Sequence, residues 1–255
     1  MSQQYASFNV PQYGSVRPVS APSDLDLDLW CGPAPLRQYT SDLCTSFGTY
    51  HNYNFSLGFI AGWGAHPLDI VQWGLDTDEV APIYYEGAGT VPKSGLYRTV
   101  DNWDIHCYYA NGVPVRFMSE RIAKDVITKY RKRYAGHGTT FFGDEGWISV
   151  DRGGMEASKE SLLKAGGASA DKPLYVSDHH QRNFLDCVRN RKPTISTLES
   201  AIRSDTISHL SDLVVRTGSP IEWDTVHERI VGNPEVEKLL ARPMRAKWAI
   251  KPSRS

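Results

Sequence analysis

Trp103-Asp104-Ile105-His106-Cys107-Tyr108-Tyr109-Ala110-Asn111-Gly112-Val113-Pro114-Val115-Arg116-Phe117-Met118-Ser119 is the stretch on which the fold turns. Two runs rich in β-branched and aromatic residues, Trp103 to Tyr109 and Val113 to Ser119, flank Ala110-Asn111-Gly112. Asn-Gly between such runs signals a hairpin, because the tight turn needs positive φ at its central positions. Antiparallel pairing is therefore the expectation. Toward the C-terminus, Thr139 to Phe142 and Trp147 to Val150 flank Gly143 to Gly146 and read as a second hairpin. Val80 to Tyr85 is a further strand candidate, Pro173 to Val176 an edge strand, and Tyr5 to Val10 a short strand-like run. Between the hairpins, Arg121 to Tyr134 reads as a basic amphipathic insert.

Helices are expected on both sides of these strands. His66 to Gly74 has Pro67 in its first turn and Gly74 at its end, and it is apolar over most of its surface, as a buried helix is. Just before it, the Gly-rich approach from Gly58 to Gly64 lets the backbone pack closely. Trp30-Cys31-Gly32-Pro33-Ala34-Pro35 reads as a rigid loop, since two prolines remove donors and fix φ. The last third is helical. Ser177 can cap a helix to about Asn190 with Phe184, Leu185 and Val188 inward. Thr197 caps a longer one with Ala201, Ile202, Leu210, Leu213 and Val214 on one face, closed by Gly218. Asn233-Pro234 starts a short terminal helix. Strands followed by helices argue for an α+β fold: a large open, mainly antiparallel sheet with helices packed on one face, residues 1–255 forming a single domain.

Composition narrows the function classes. Charged residues make up 22% of the 255 and the formal net charge is -1, which gives no global reason to expect a nucleic acid or an anionic membrane as partner. No apolar run approaches the ~20 residues that span a bilayer. Met1 to Ser15 lacks the basic flank and apolar core of a secretory signal, so the expectation is a cytoplasmic protein. Cys31, Cys44, Cys107 and Cys187 are irregularly spaced and read as free, mostly buried thiols. Aromatic residues such as Trp63, Trp73, Tyr108 and Tyr109 lie near glycine or polar residues, which suits flat hydroxylated ligands and a sheet core equally.

Several chemistries can be set aside. A dinucleotide loop needs a strand, then Gly-x-Gly-x-x-Gly, then a helix that receives the pyrophosphate at its N-terminus. Gly87-Ala88-Gly89 leads to Pro92, Gly136-His137-Gly138 leads to a strand, and Gly62-Trp63-Gly64 has Pro67 where the third glycine belongs. Neither a P-loop nor a Gly-x-Ser-x-Gly elbow is present. His66 is the candidate catalytic residue, because it sits where a glycine-rich turn enters a helix, and imidazoles suit proton transfer with a hydroxyl. The same placement suits a histidine that caps the helix or bonds a carbonyl. Asp69 lies three residues on, as a local partner or a ligand contact; the His-x-x-Asp spacing alone makes no metal site. Arg37 could clamp a ligand oxygen. His179, His180 and His209 read as surface, core or interface residues, and Lys124, Lys129, Arg131, Lys132 and Arg133 as a solvated helix face.

Four blocks together carry a family resemblance. They are Leu29 to Pro35, Gly62 to Trp73, Phe142-Gly143-Asp144-Glu145-Gly146-Trp147, and Asn183 to Val188 with Arg191-Lys192-Pro193. As a set they resemble the Gfo/Idh/MocA oxidoreductases, over about Tyr5 to Trp248. The resemblance implies a two-domain enzyme with a Rossmann domain for NAD or NADP followed by an α+β domain that supplies part of the substrate pocket and often an oligomer interface. This chain matches the second domain only, so the cofactor would be bound by a Rossmann domain supplied in cis or in trans, and the chain would be inactive alone. His66 matches the histidine of the family's Asp-x-x-x-His pattern, while Gly62 stands in the aspartate's place. Trp30 and Arg37 match a loop that faces the nicotinamide and substrate in relatives, and Asp69 joins them as a substrate-binding candidate. The implied substrate is a sugar, sugar derivative or cyclitol, and the implied assembly a homo-oligomer through the sheet face. A non-catalytic carbohydrate-binding or oligomerisation module that has lost its cofactor domain is the alternative.

Overall fold

The computed structural model describes residues 14–165 and 175–250. In chain order it contains α1 (Leu27–Cys31), α2 (Ser46–Tyr50), α3 (Phe59–Gly62), α4 (Ala65–Leu75), β1 (Tyr84–Thr90), β2 (Asn102–Tyr108), β3 (Pro114–Met118) and α5 (Glu120–Ile127). There follow β4 (Thr139–Gly143), β5 (Gly146–Asp151), β6 (Gly154–Ala157), α6 (Glu160–Ala165), α7 (His180–Asn190), α8 (Leu198–Thr217), β7 (Ile221–Asp224), β8 (Arg229–Val231) and α9 (Pro234–Glu237). These elements form two compact units, one drawn from residues 14–64, 82–123 and 208–250, the other from 65–81, 124–165 and 175–207. The α+β expectation holds, with the antiparallel strands divided between two sheets.

The first unit is built on a five-stranded antiparallel sheet in the order β3-β2-β1-β7-β8. The expected hairpin is present, with Tyr108 opposite Pro114, Asp104 opposite Met118, and Gly112 at φ 85° in the turn. Burial along β2 alternates: Trp103, Ile105 and Cys107 are buried, while Asp104, His106 and Tyr108 are partly exposed. That is the period of two expected for a strand with one covered face. Residues 208–217 of α8 supply the cover, burying Leu210, Leu213 and Val214 together with Ser208 and Ser211. The strand expected over Val80 to Tyr85 begins only at Tyr84 and runs on to Thr90, since Pro82 cannot donate to a ladder. Gly87 and Gly89, past the expected end of that strand, lie inside β1, where neighbouring atoms leave no room for side chains. The β7–β8 hairpin went unread because its strands have only 4 and 3 residues. Trp30 and Cys31 end a helix rather than opening a loop: Asp26 caps α1 through the N–H of Leu29 at 2.9 Å, and both prolines come after Gly32. Asn233 caps α9 as expected, through the N–H of Val236.

The second unit holds a three-stranded antiparallel sheet, β4-β5-β6. Its hairpin closes with Gly143 opposite Gly146, as expected, and β6 adds an unforeseen third strand. Helix α4 docks on β4, where the Thr139 hydroxyl donates to the Pro67 carbonyl at 2.7 Å and Gly74 leaves room for the Phe141 ring. It buries Leu68, Val71 and Gln72, with Trp73 still 39% exposed, so one stripe is covered rather than most of the surface. Gln72 Nε2 ties the helix to the following turn by bonds of 2.8 Å to the carbonyls of Thr77 and Val80. On α7 the cap is His179, not Ser177, and Phe184, Leu185 and Val188 are exposed; only Cys187 is buried. Thr197 caps α8 as expected, through the N–H of Ser200. The stripe on this half of α8 is displaced, however: Ala201 and Ile202 are exposed while Ser200, Ser204 and Ile207 are buried. Tyr5 to Val10 and Pro173 lie outside the described residues, and Tyr175 and Val176 belong to no strand.

The basic insert is not simply a solvated face. The Arg131 side chain is 1% exposed and pairs at 2.8 Å with Asp151, itself fully buried, while Arg133 reaches the same carboxylate at 2.7 Å. Glu156 accepts from the backbone N–H of Lys132 at 2.8 Å and pins the segment to β6. Burial raises the Asp151 pKa, but hydrogen bonds from Arg133, Arg131 and the Gly153 N–H outweigh it and bring it down to about 2. Asp151→Asn should therefore destabilise the protein by about 3 kcal/mol in urea unfolding, because it leaves the buried Arg131 with only the longer pair to Glu156 at 3.7 Å. Because the folded value lies below the ordinary ~3.9, this contribution is full above that pH and is lost as pH falls through about 2. Unchanged stability in the variant would contradict the assignment.

Candidate functional site

The structure distributes the four expected site residues between the units: Trp30 and Arg37 in the first, His66 and Asp69 in the second. Trp30 is 40% exposed and lines a cleft of about 510 Å³ with Cys44, Thr45, Ser46, Thr49, Tyr50 and Ser56. The volume suits a small molecule, and the wall combines an indole with five hydroxyl-bearing side chains and no charged group. Helix α1 holds Trp30 in place because Arg245 clamps it: its Nε donates to the Gly32 carbonyl at 2.9 Å and its Nη2 to the Asp28 carbonyl at 2.8 Å. Hydrogen bonds from Lys247 and then Arg245 lower the pKa of the Asp28 carboxyl.

The other wall comes from α2. Thr45 caps it by accepting from the N–H of Gly48 at 2.9 Å. Position 48 must be glycine, since a Cβ there would lie 1.6 Å from the Asp42 carbonyl oxygen. The helix ends at Tyr50, and His51 behind it is packed by Phe47, Tyr50, Phe59 and Tyr97. His51 Nδ1 lies 3.3 Å from the Thr99 hydroxyl, and its carbonyl accepts from the N–H of Arg98 at 2.9 Å. Burial lowers the His51 pKa to about 4, so the ring is neutral in the folded protein at neutral pH. Arg37 turns toward the same loop, with Nη1 3.5 Å from Asn52 Oδ1. Tyr50 and His51 were not foreseen, because nothing in the spacing of Phe47, Tyr50 and Tyr53 marks a site.

In the second unit, His66 is exposed in the first turn of α4 and Asp69 lies one turn on, partly buried. Asp69 Oδ1 accepts from the Ser204 hydroxyl at 3.0 Å, and Asp78 Oδ1 from the Ser200 hydroxyl at 3.1 Å. Two serines one turn apart on α8 thus anchor two carboxylates. Burial raises the Asp69 pKa, which the Ser204 bond opposes; the charge of Asp78 adds to the rise and His66 counters it. His66 and Asp69 lie one turn apart on the same helix.

No dinucleotide cradle exists among the described residues. Gly62 ends helix α3 and Gly64 follows it, with a helix rather than a strand before them, Gly87 and Gly89 are paired within β1, and Gly138 precedes β4. A pyrophosphate needs backbone N–H groups at a strand-to-helix turn, and the residues present do not fit one. Nor does any group of His, Cys, Asp and Glu side chains among the described residues suit a metal ion. No helix there is long and apolar enough to cross a membrane. All four cysteines are free thiols.

Comparison with known families matches residues 7–132 and 172–250 to the C-terminal alpha/beta domain of the Gfo/Idh/MocA oxidoreductase family. No curated protein matches the sequence. Among solved structures, aldose-aldose oxidoreductase from Caulobacter crescentus is similar at 13% identity and a TM-score of 0.45, over 68% of this chain and 50% of that one. An oxidoreductase from Thermotoga maritima is similar at 14% identity and 0.43, over 74% and 51%. For an NAD-binding protein from Listeria innocua the figures are 12% and 0.40, over 74% and 55%. The chain spans about half the length of these structures.

The cage around His51 has a pH signature. The neutral imidazole contributes stability fully above its ordinary ~6.5, and that contribution is lost as pH falls through about 4. NMR titration should find the His51 ring resonances moving with a midpoint near 4. A midpoint near the ordinary value would contradict its burial.

Proposed function

Because the chain belongs to the Gfo/Idh/MocA oxidoreductase family as its C-terminal alpha/beta domain, we propose that it is the substrate-side half of a nicotinamide-dependent oxidoreductase acting on a hydroxyl of a sugar, sugar derivative or cyclitol. The family match over both sequence segments is the observation that carries this reading. The cleft beside Trp30 supports it chemically. An indole face stacks on the C–H face of a ring, and hydroxyls exchange hydrogen bonds with a polyol without the cost of burying a charge. NAD or NADP belongs to a dinucleotide-binding domain provided in cis or in trans, and the chain by itself does not turn over.

Roles follow for the remaining candidates. His66 takes or returns the proton of the substrate hydroxyl, and its exposure on α4 leaves the ring accessible for that. Asp69, anchored by Ser204, fixes the negative charge beside it. Arg37 contributes a donor to the ligand's oxygens. The outer face of the five-stranded sheet, where Arg116 grips Asp104 in a two-pronged pair at 2.8 and 2.7 Å, is the proposed surface for self-association.

In the enzyme completed by its dinucleotide-binding domain, His66→Ala should lower kcat by about 10²–10⁴-fold, the usual worth of a positioned acid or base. Full turnover retained by that variant would exclude the role.

A further inference from the structure

Directly opposed residues on neighbouring strands share a face of the sheet. On the outer face of the first unit, register therefore sets side chains of β1, β2 and β3 in rows, with β2 in the middle of each. One row is Tyr84, Tyr108 and Pro114, the next Glu86, His106 and Arg116, and the third Ala88, Asp104 and Met118. The middle row is open to solvent: Glu86 is exposed, and the His106 and Arg116 side chains are 43% and 41% exposed.

The two ends of that row have opposite charge, and each has bonding capacity left. Arg116 holds Asp104 through Nε and Nη2 at 2.8 and 2.7 Å, which does not occupy Nη1. Glu86 accepts from the Tyr84 and Tyr108 hydroxyls at 3.4 and 3.3 Å and makes no ion pair with a described residue.

A contact between the same face of two copies is isologous, so its two-fold axis lies in the plane between the sheets. Over His106 the direction of that axis decides the charge pairing. An axis running across the strands sets Glu86 on Glu86 and Arg116 on Arg116, like charge on like. An axis running along β2 exchanges β1 with β3, so Glu86 of each copy meets Arg116 of the other. The flanking rows then match in shape, with Tyr84 against Pro114 and the small Ala88 against the long Met118. Asp104 meets Asp104, each already neutralised by its own Arg116. Packed sheets lie about 10 Å apart, a gap that a glutamate and an arginine span together.

We propose that this face forms a two-fold dimer whose axis runs along β2 over His106, with Arg116 of each copy bonded to Glu86 of the other. The proposal rests on the reading of the outer sheet face as the surface for self-association. It adds the axis and the charge pair that fix how the two copies meet. Strand β8, three strands from β2, falls beyond the edge of the other copy's sheet, so Arg229, 60% exposed, lies outside the contact.

Sedimentation velocity of the purified chain over a range of concentrations tests this, with every variant checked for native circular dichroism. The wild type should dimerise. Arg116→Glu and Glu86→Arg should each raise the dissociation constant about 100-fold, because both set like charges across the axis. An equimolar mixture of these two variants should dimerise again, since every crossed pair is then of opposite sign. The double variant carrying both exchanges should do so alone, and Arg229→Glu should dimerise like the wild type. If Arg229→Glu dissociates the dimer while Glu86→Arg and Arg116→Glu do not, the face still self-associates but the axis and pair are wrong. Failure of both the mixture and the double variant to re-associate also overturns the pairing. A wild type that stays monomeric leaves the face to a different partner and overturns the self-association reading together with the proposal.

Discussion

Close approach of α8 to β1 and β2 is the constraint on which the first unit depends. A Cβ at Gly89 would lie 2.7 Å from a Val215 methyl, and Ser208 and Ser211 are fully buried where the helix meets the sheet. Small side chains bring the helix low enough for Leu210, Leu213 and Val214 to fill the interface with Tyr85 and Ile105. Cys107, whose pKa is pushed up to about 12 by burial although it bonds Ser211, lies in this layer as an inert thiol.

The same helix reaches the cleft through a short chain of contacts. Arg216 is anchored by Asp212 at 2.7 Å and donates at 3.0 Å to the Arg98 carbonyl, while its guanidinium lies 3.5 Å over the Tyr53 ring. Arg98 and Thr99 then hold the His51 carbonyl, and His51 holds Tyr50. Packing on the sheet thus fixes the loop between β1 and β2, which fixes the cage, which fixes a wall of the cleft. Precision at a binding surface comes from such supporting contacts.

The parts of this arrangement legible in the sequence were those with local physical signatures. Asn111-Gly112 announced its hairpin, Thr197 and Asn233 their caps, and Pro67 with Gly74 the ends of α4. What could not be read depended on partners far along the chain. Arg131 has the composition of a solvated cation until Asp151, 20 residues away, takes it inward. Gly87 and Gly89 carry no local strand signal, and their place in β1 depends on β2 and α8 closing over them. Tyr50 packs against Gly62, a contact that no local pattern in the sequence signals. Phe184, Leu185 and Val188 have helical spacing of a buried stripe, yet they face outward among the described residues.

On the proposed reading the chemistry is divided: this chain brings the Trp30 cleft and His66 with Asp69 one turn on, and the phosphate cradle belongs to another domain. Equilibrium dialysis of the purified chain against labelled NAD+ and NADP+ tests that division most directly. Neither nucleotide should be retained above the background of an unrelated protein of equal charge. Saturable retention of one nucleotide per chain would mean that a cradle is present after all, and the account would fail.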